Sequence, residues 1–179
     1  MDLVLYLAYV FVLYSFLGWV LEEVYCLVIT KHFKDDGFLF GPFKPMYGFV
    51  IAILVYAVNV LRTSGFALLA LFIVVPTLIE YISGYGLRKI FNKDYWNYSH
   101  IKFNYKGLVC MRFSVYWGIL TAFVIFIVQP VVDYIFFRYM GVFDLITPIF
   151  ILYIIADCLI TIKLLRGFKG KIKKQASDI

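Results

Sequence analysis

Long apolar runs separated by short polar segments dominate the chain. A helix needs roughly 20 mostly apolar residues to cross a bilayer. Five runs have about this character, the second being the shortest: Leu3–Val28, Pro45–Leu61, Phe66–Leu87, Phe113–Phe137 and Phe143–Ile162. The short alternating segments that are typical of membrane β-barrels are not visible. The pattern therefore predicts an all-α, polytopic transmembrane helix bundle of about five spans.

The composition excludes both a soluble domain and a disordered chain. Of the 179 residues, 64% are apolar and 16% are charged, whereas a soluble domain carries about 25% charged residues. Mean hydropathy is +0.90. A domain of this size could not bury so much apolar surface in its own interior. We expect residues 1–168 to form a single transmembrane domain and residues 169–179 to form a basic tail.

The basic residues predict the orientation. Fifteen of the 17 Lys and Arg residues lie in links 31–44 and 88–112 and in the segment from Lys163 onward, and the other two are Arg62 and Arg138. The positive-inside rule then places the N-terminus outside and the C-terminus in the cytoplasm of a cell membrane. This asymmetry explains the net charge of +6 without a nucleic-acid partner. The tail is expected to lie against anionic membrane lipids.

The cysteines and histidines predict no metal site and no other cofactor. The three cysteines, Cys26, Cys110 and Cys158, show no C-x-x-C spacing, and the chain has two histidines. This set can build neither a structural zinc site nor a disulfide framework.

Carboxylates inside the apolar runs are the most informative polar residues. Each costs about 2.5–3.5 kcal/mol at the bilayer centre and therefore requires a reason. Glu22, Glu80 and Asp157 precede the basic ends of their runs by six to nine residues, which is about 9–14 Å of helix. We expect Glu22 and Glu80 to share a polar site in the cytoplasmic half, whereas pairing with nearby cations explains Glu23 and Asp133.

The neighbours of these two carboxylates suit a cavity wall. Tyr14, Gly18 and Glu22 recur at helical spacing, so they share one face that fits a helix contact or a cavity. Pro76 lies one turn before Glu80 and removes a backbone donor there, which favours a local kink.

Both long cytoplasmic links are unusual. Segment Gly37–Gly48 is too apolar for a solvated loop, and its glycines and prolines prevent a regular helix, so we interpret it as a re-entrant or interfacial loop. Link Asp94–Gly107 mixes aromatic, amide and hydroxyl groups, and an aromatic belt explains only the aromatic ones. The predicted substrate-binding or cavity-lining residues are Tyr14, Trp19, Glu22, Lys44, Tyr47, Glu80, Trp96, Asn97, Tyr98, Ser99 and Asn104.

Several motifs follow one another in an order that resembles a known family. They are Phe16–Glu22, Gly37–Pro42, Pro45–Gly48, Glu80-Tyr81, Tyr95–Ser99, Phe103-Asn104 with Gly107, and Ser114–Gly118. Over Ser15–Pro130 the chain resembles the putative ABC-transporter type IV family of small bacterial membrane proteins. The resemblance implies a permease that works with a separate ATPase subunit. Segment Gly37–Lys44 lacks the spacing and final G-K-[ST] of a phosphate loop, so this chain is not expected to bind ATP.

The chain departs from the family pattern at three informative positions. Asp36 stands where a basic residue is usual, and Arg88 stands where an acidic residue is usual. This exchange of sign predicts a salt bridge between Asp36 and Arg88. Asn97 replaces an acidic residue of the aromatic motif, which weakens an enzymatic interpretation.

Three functions remain open from the sequence. The first is a transport component with Glu22 and Glu80 in a polar cavity and the Gly/Pro link as its gate. Because five spans are few for a complete pathway, this function requires a homo-oligomer or an ATPase subunit. The second is a membrane enzyme acting on a lipid or headgroup, with one of the two carboxylates as general base and Lys44, His100 or Lys106 binding an anionic group. The third is a non-catalytic scaffold or sensor.

Overall fold

Five helices follow one another in the described part of the chain. The computed structural model describes residues 2–32 and 37–177, with side chains as far as Arg166. The helices are α1 (Leu3–Thr30), α2 (Pro45–Asn59), α3 (Gly65–Phe91), α4 (Met111–Arg138) and α5 (Met140–Ser177). Each of the five predicted runs is thus helical. The side chains of the predicted basic tail, residues 169–179, lie outside the described part of the structure.

Four of the helices are long and apolar enough to cross a membrane, namely α1, α3, α4 and the part of α5 up to Arg166. The fifth, α2, has 15 residues and spans about 22 Å, against roughly 30 Å for the hydrocarbon core of a bilayer. The prediction of about five spans therefore holds for four helices, and α2 is a shorter apolar helix packed among them.

The helix ends follow local chemistry. The Asp2 side chain accepts a hydrogen bond from the Val4 N–H at 2.9 Å and caps α1. α2 begins with Pro45, whose ring fixes the φ angle that a first helical residue needs. α1 and α3 are each followed by a residue with a left-handed backbone conformation, Lys31 and Asn92 respectively. This is a common way to terminate a helix.

Helix α4 changes its hydrogen-bonding pattern halfway. Residues Val124–Val128 form a π-helical turn between two α-helical parts, Met111–Phe123 and Gln129–Arg138. The Gln129 N–H accordingly donates to the carbonyl of Val124, five residues earlier. The next residue is Pro130, which has no N–H to donate to the preceding turn.

A small β-hairpin with strands of two residues each lies in the link before α4. It departs from the all-α prediction. Strands β1 (Asn104–Tyr105) and β2 (Val109–Cys110) pair antiparallel. Between them, Lys106 and Gly107 both have positive φ, 54° and 69°, and the Leu108 N–H donates to the Tyr105 carbonyl at 3.0 Å. Two successive positive φ angles are the signature of a primed hairpin turn.

Helices α1 to α4 enclose the main apolar core, and α1 and α2 approach most closely. A Cβ atom at Gly48 would collide with the Phe11 carbonyl oxygen and the Ser15 hydroxyl, so only glycine permits this helix contact. The core is formed by side chains including Tyr9, Val10, Leu54, Phe72, Ile125 and Phe136. Many apolar side chains outside this core are exposed, as expected for surfaces in contact with lipid.

The Gly/Pro segment, defined here by its described residues 37–44, packs onto the helices. Leu39 and Phe43 are buried against Ile154 of α5, with Phe11 of α1 beside them. The Lys44 N–H donates to the Ser15 carbonyl at 2.8 Å. These contacts seat the segment between α1 and α5, whereas its depth in a membrane remains a prediction.

Candidate functional site

Asp157 anchors the Gly/Pro segment. Its two carboxylate oxygens accept hydrogen bonds from the Phe40 N–H at 3.2 Å and the Gly41 N–H at 2.8 Å. A Cβ atom at Gly41 would lie 2.5 Å from the Tyr153 hydroxyl and 3.1 Å from the Asp157 carboxylate, so glycine allows the close approach of this backbone to α5. Asp157 is buried, and these donors supply the partners that a buried carboxylate requires.

Glu22 lies at the other end of the same segment. Its Oε2 forms an ion pair with the Lys44 ammonium, and its Oε1 accepts a hydrogen bond from the Tyr47 hydroxyl at 3.0 Å. A Cβ atom at Gly18 would collide with the Tyr47 ring, so the face of α1 that carries Gly18 and Glu22 is filled by Tyr47. The sequence-predicted residues Glu22, Lys44 and Tyr47 are therefore brought together.

Glu80 is the most deeply buried carboxylate of the site, with 2% of its surface exposed. Its Oε1 accepts a hydrogen bond from the Tyr98 hydroxyl at 2.9 Å. The Trp117 indole lies beside the same carboxyl group, but Glu80 Oε2 and Trp117 Nε1 both lack a hydrogen-bond partner among the described residues. Buried polar atoms of this kind require an explanation, such as a ligand or water.

The aromatic link places Tyr98 over Glu80. The Tyr98 N–H donates to the Gly107 carbonyl at 2.8 Å, and its ring stacks on Phe113 with centroids 4.8 Å apart. Burial, reinforced by the neighbouring Glu80 carboxylate, raises the pKa of the Tyr98 hydroxyl well above its ordinary value. The hydroxyl therefore remains a hydrogen-bond donor throughout the physiological pH range.

Four other predicted residues of this link support its shape. Trp96 Nε1 donates to the Leu108 carbonyl at 2.8 Å, and the Ser99 N–H donates to Asn97 Oδ1 at 2.9 Å. Asn104 donates to the Ile101 carbonyl at 2.7 Å. Asn97, Ser99 and Asn104 make these contacts within the link, and the Trp96 ring also lies against Gly84 of α3, so the four residues hold the link in place.

Arg88 fastens the link to α3. Its guanidinium donates to both carboxylate oxygens of Asp94, at 2.6 and 3.1 Å, and to the Lys106 carbonyl at 2.8 Å. The predicted partner, Asp36, lies outside the described residues. The Asp36–Arg88 salt bridge therefore stays a prediction, and Asp94 is a partner that sequence spacing did not indicate.

A cavity of about 190 Å³ lies between α1, α2, α3 and α4. Its wall is largely apolar and includes Tyr14, Tyr47, Pro76 and Trp117. The Tyr14 hydroxyl is buried without a hydrogen-bond partner among the described residues. The sequence suggested a polar cavity lined by Glu22 and Glu80. Among the described residues, Glu22 accepts its hydrogen bond from the wall residue Tyr47, and Glu80 lies beside the wall residue Trp117.

Tyr47, which donates to Glu22, and Trp117, which lies beside Glu80, contact each other and so connect the two carboxylates. Their rings meet edge to face with centroids 5.3 Å apart, and Tyr47 lies within electrostatic range of both Glu22 and Glu80. We call the set the Glu22–Glu80 cluster, which consists of Glu22, Lys44, Tyr47, Glu80, Tyr98 and Trp117. The cluster is polar and borders an apolar cavity, an arrangement that suits a molecule with a polar end and an apolar body.

Helix α4 contributes a wall of the cavity that was not among the predicted site residues. Trp117, Thr121, Val124 and Val128 line the cavity and recur at spacings of four, three and four residues, which places them on one helical face. This periodicity was available in the sequence, but the run is apolar on every side. Trp19, by contrast, was predicted at the site and stacks on Phe16.

The profile of the putative ABC-transporter type IV family matches residues 9–162, most of the chain. No curated protein and no solved structure shows a significant match.

Proposed function

The chain belongs to the putative ABC-transporter type IV family, and on that premise we propose that it is the membrane component of a transport system for an amphipathic substrate. The observation that carries this proposal is the apolar cavity that adjoins the Glu22–Glu80 cluster. The substrate's apolar body would occupy the cavity, and its polar end would lie beside the two carboxylates.

The charges of the cluster favour a cationic or hydrogen-bond-donating end group. Lys44 balances Glu22, whereas Glu80 receives its hydrogen bond from the neutral Tyr98 hydroxyl. Glu80 Oε2 accepts no hydrogen bond from the described residues. An ammonium or hydroxyl end group would supply the missing donor, whereas a carboxylate end group has no donor to offer.

The Gly/Pro segment is the proposed gate. Asp157 holds its middle, and Lys44 at its end is paired with Glu22. A movement of the segment away from α5 would therefore also move the cation that balances Glu22. Substrate binding at the cluster would then be coupled to a movement of the Gly/Pro segment.

The family and the basic residues extend the proposal to orientation and partners. With 15 of 17 basic residues on the side of the links and tail, we infer that the Glu22–Glu80 cluster lies in the cytoplasmic half. A separate ATPase subunit would drive transport, and pairing of two copies would supply further spans. Lipids would surround the exposed apolar faces.

The two alternative functions receive less support from the geometry. For the lipid-modifying enzyme, His100 is exposed and Lys106 lies over the Tyr105 ring at 5.3 Å, so neither is placed to bind an anionic group at the cluster. For the scaffold, both carboxylates would pair with cations without a cavity. Here Glu80 receives a tyrosine hydroxyl, and a cavity is present.

Fluorescence quenching of Trp117 tests the proposed site. The full chain in nanodiscs is titrated with brominated alkyl chains of equal length that end in an ammonium, a hydroxyl or a carboxylate group. Bromine quenches nearby indoles, so the quenching that Trp117→Phe removes reports occupancy of the cavity. We expect the ammonium-ended chain to bind most tightly and the carboxylate-ended chain least tightly, with Glu80→Gln abolishing this difference.

A matched pair of valine substitutions on α4 supplies the control. Val124→Phe fills the cavity and should reduce quenching by all three chains, whereas Val131→Phe adds the same ring at an exposed position and should not. Equal quenching by the three end groups together with no effect of Val124→Phe would overturn the proposal.

A further inference from the structure

Three tyrosine rings form a continuous row on the outside of the fold, where the second half of α3 meets the hairpin. Tyr81 stacks on Tyr85 of the same helix with ring centroids 6.0 Å apart, and it contacts Tyr105 of the hairpin at 5.5 Å. Lys89 lies over the Tyr85 ring at 5.7 Å, and Lys106 lies over the Tyr105 ring at 5.3 Å. We call these five residues the Tyr85–Tyr105 surface. None of them lines the cavity described above.

The exposed face of α3 changes in character towards the end of the helix. Leu78, Ile82, Tyr85 and Lys89 are all exposed and recur at spacings of four, three and four residues, which places them on one helical face. From the first to the last of them is about 16 Å of helix. Aliphatic side chains followed by a tyrosine and then a lysine are typical of a helix that passes from hydrocarbon into the headgroup region. We therefore expect the Tyr85–Tyr105 surface to lie at headgroup depth.

The segment around this surface is strongly cationic. Residues 88–112 contain six basic residues and one acidic residue, Asp94, and both carboxylate oxygens of Asp94 accept hydrogen bonds from Arg88. Neither Lys89 nor Lys106 forms a salt bridge with a described residue. Contact with a ring face attracts an ammonium group but leaves its positive charge unbalanced. The two lysines can therefore bind an anion.

An aromatic ring next to the hairpin is also turned outward. Phe103, which directly precedes β1, is 82% exposed. Its φ angle is +56°, a backbone conformation that is rare for bulky residues, and its carbonyl accepts a hydrogen bond from the Met111 N–H at 3.1 Å. The preceding residue, Lys102, is exposed too. A large ring exposed beside lysines is typical of segments at a membrane interface, where the ring enters the lipid and the cations meet the headgroups.

We propose that the Tyr85–Tyr105 surface binds the headgroups of anionic phospholipids. Lys89 and Lys106 would contact phosphate oxygens, and the tyrosine rings would lie at the boundary between headgroups and acyl chains. Charge complementarity favours this occupant, because a zwitterionic headgroup brings a cation of its own that the lysines would repel. A lipid also provides an apolar environment for Ile82 and Phe103, which a soluble anion would leave in water.

Native mass spectrometry of the full chain in detergent tests this inference. The protein is titrated with phosphatidylglycerol or with phosphatidylcholine of identical acyl chains, and the ratio of the two dissociation constants measures the preference for the anionic lipid. We expect the wild type to prefer phosphatidylglycerol. One basic residue near an anionic lipid surface changes affinity about fivefold. The double variant Lys89→Gln/Lys106→Gln should therefore reduce the preference about fivefold or more.

A second double variant controls for net charge. Arg62→Gln/Arg138→Gln also removes two exposed cations, but at the other end of the helices, and both variants keep the basic tail. This control should keep the wild-type preference. An equal loss in both variants, no loss in Lys89→Gln/Lys106→Gln, or no preference in the wild type would overturn the proposal. The Trp117 quenching experiment is independent of these outcomes, since the Tyr85–Tyr105 surface lies outside the cavity.

Discussion

The two polar clusters differ in the parts of the fold that supply partners to their carboxylates. In the Glu22–Glu80 cluster, Lys44 comes from the end of the Gly/Pro segment and Tyr98 from the link before α4, and Tyr47 comes from α2. In the Asp133 cluster, defined here as Tyr6, Gln129 and Asp133 at the opposite end of the helices, the partners Tyr6 and Gln129 belong to α1 and α4. A helix is held by its own backbone hydrogen bonds, whereas these links depend on a few side-chain contacts.

This difference indicates which end of the bundle can rearrange. Partners on links can be withdrawn from a carboxylate without disturbing the helices, and a transport site must both admit and release its substrate. Partners on packed helices keep fixed positions. The comparison thus predicts that the end with the Glu22–Glu80 cluster rearranges and that the end with the Asp133 cluster stays fixed. Each prediction can be tested.

Loss of the Asp157 carboxylate should have the largest effect. Asp157→Ala leaves the Phe40 and Gly41 N–H groups without their acceptor, and we expect the free energy of unfolding to fall by about 3 kcal/mol, because hydrogen bonds to a charged group contribute about 1.5–3 kcal/mol each. Thermal unfolding in detergent measures this change. Amide hydrogen exchange should accelerate in residues 37–44 and stay unchanged in residues 125–133.

Asp144, an exposed carboxylate of the same helix, supplies the control for that change. Asp144→Ala should alter stability by less than about 0.5 kcal/mol. Faster exchange at both ends of the bundle in Asp157→Ala would show that the Gly/Pro segment and the Asp133 cluster are coupled, and would contradict the division between a mobile and a fixed end.

Removal of the Tyr98 hydroxyl should have a smaller effect. Tyr98→Phe keeps the ring stacked on Phe113 but leaves the buried Glu80 carboxyl without its donor, which costs about 1–3 kcal/mol. Tyr105→Phe removes a hydroxyl from an exposed ring of the same link and should be nearly neutral. If the two variants unfold at the same temperature, the bond between Tyr98 and Glu80 contributes nothing to stability.

The helices and one face of the site could be predicted from the sequence. Apolar runs define five helices because burial in lipid or core requires apolar side chains over their whole length. The spacing of Tyr14, Gly18 and Glu22 predicted a cavity wall or a helix contact. In the structure, Tyr14 and Gly18 line the cavity, and Glu22 binds the Tyr47 side chain, which lines it too.

The partners of the carboxylates could not be predicted, because they come from distant parts of the chain. Tyr98, which donates to Glu80, is held by its backbone bond to Gly107, and Gly107 belongs to a turn with two positive φ angles. Two-residue strands are too short for side-chain alternation to predict this turn. Gln129 and Tyr6 are 123 residues apart in sequence. Helical periodicity describes which face a residue occupies, but not which face of another helix lies opposite.

Alkaline pH should have the smallest and most specific effect, at Tyr98. Because burial and the Glu80 carboxylate raise the pKa of its hydroxyl in the folded protein, Tyr98 stays protonated at about pH 10, where an unfolded tyrosine ionises. Above that pH the unfolded state binds fewer protons at this residue, so stability falls as pH rises towards the folded pKa.

The difference in tyrosinate absorbance between wild type and Tyr98→Phe isolates this residue. In the folded protein the difference should be absent at about pH 10, whereas a freely solvated tyrosine is half ionised there. Stability of Tyr98→Phe should also decline less steeply with pH than that of the wild type, since the variant lacks the group whose ionisation favours unfolding. A normal tyrosinate signal from Tyr98 at about pH 10 would mean that the link leaves Glu80 readily. Tyr98 would then be exposed to solvent even without a bound substrate.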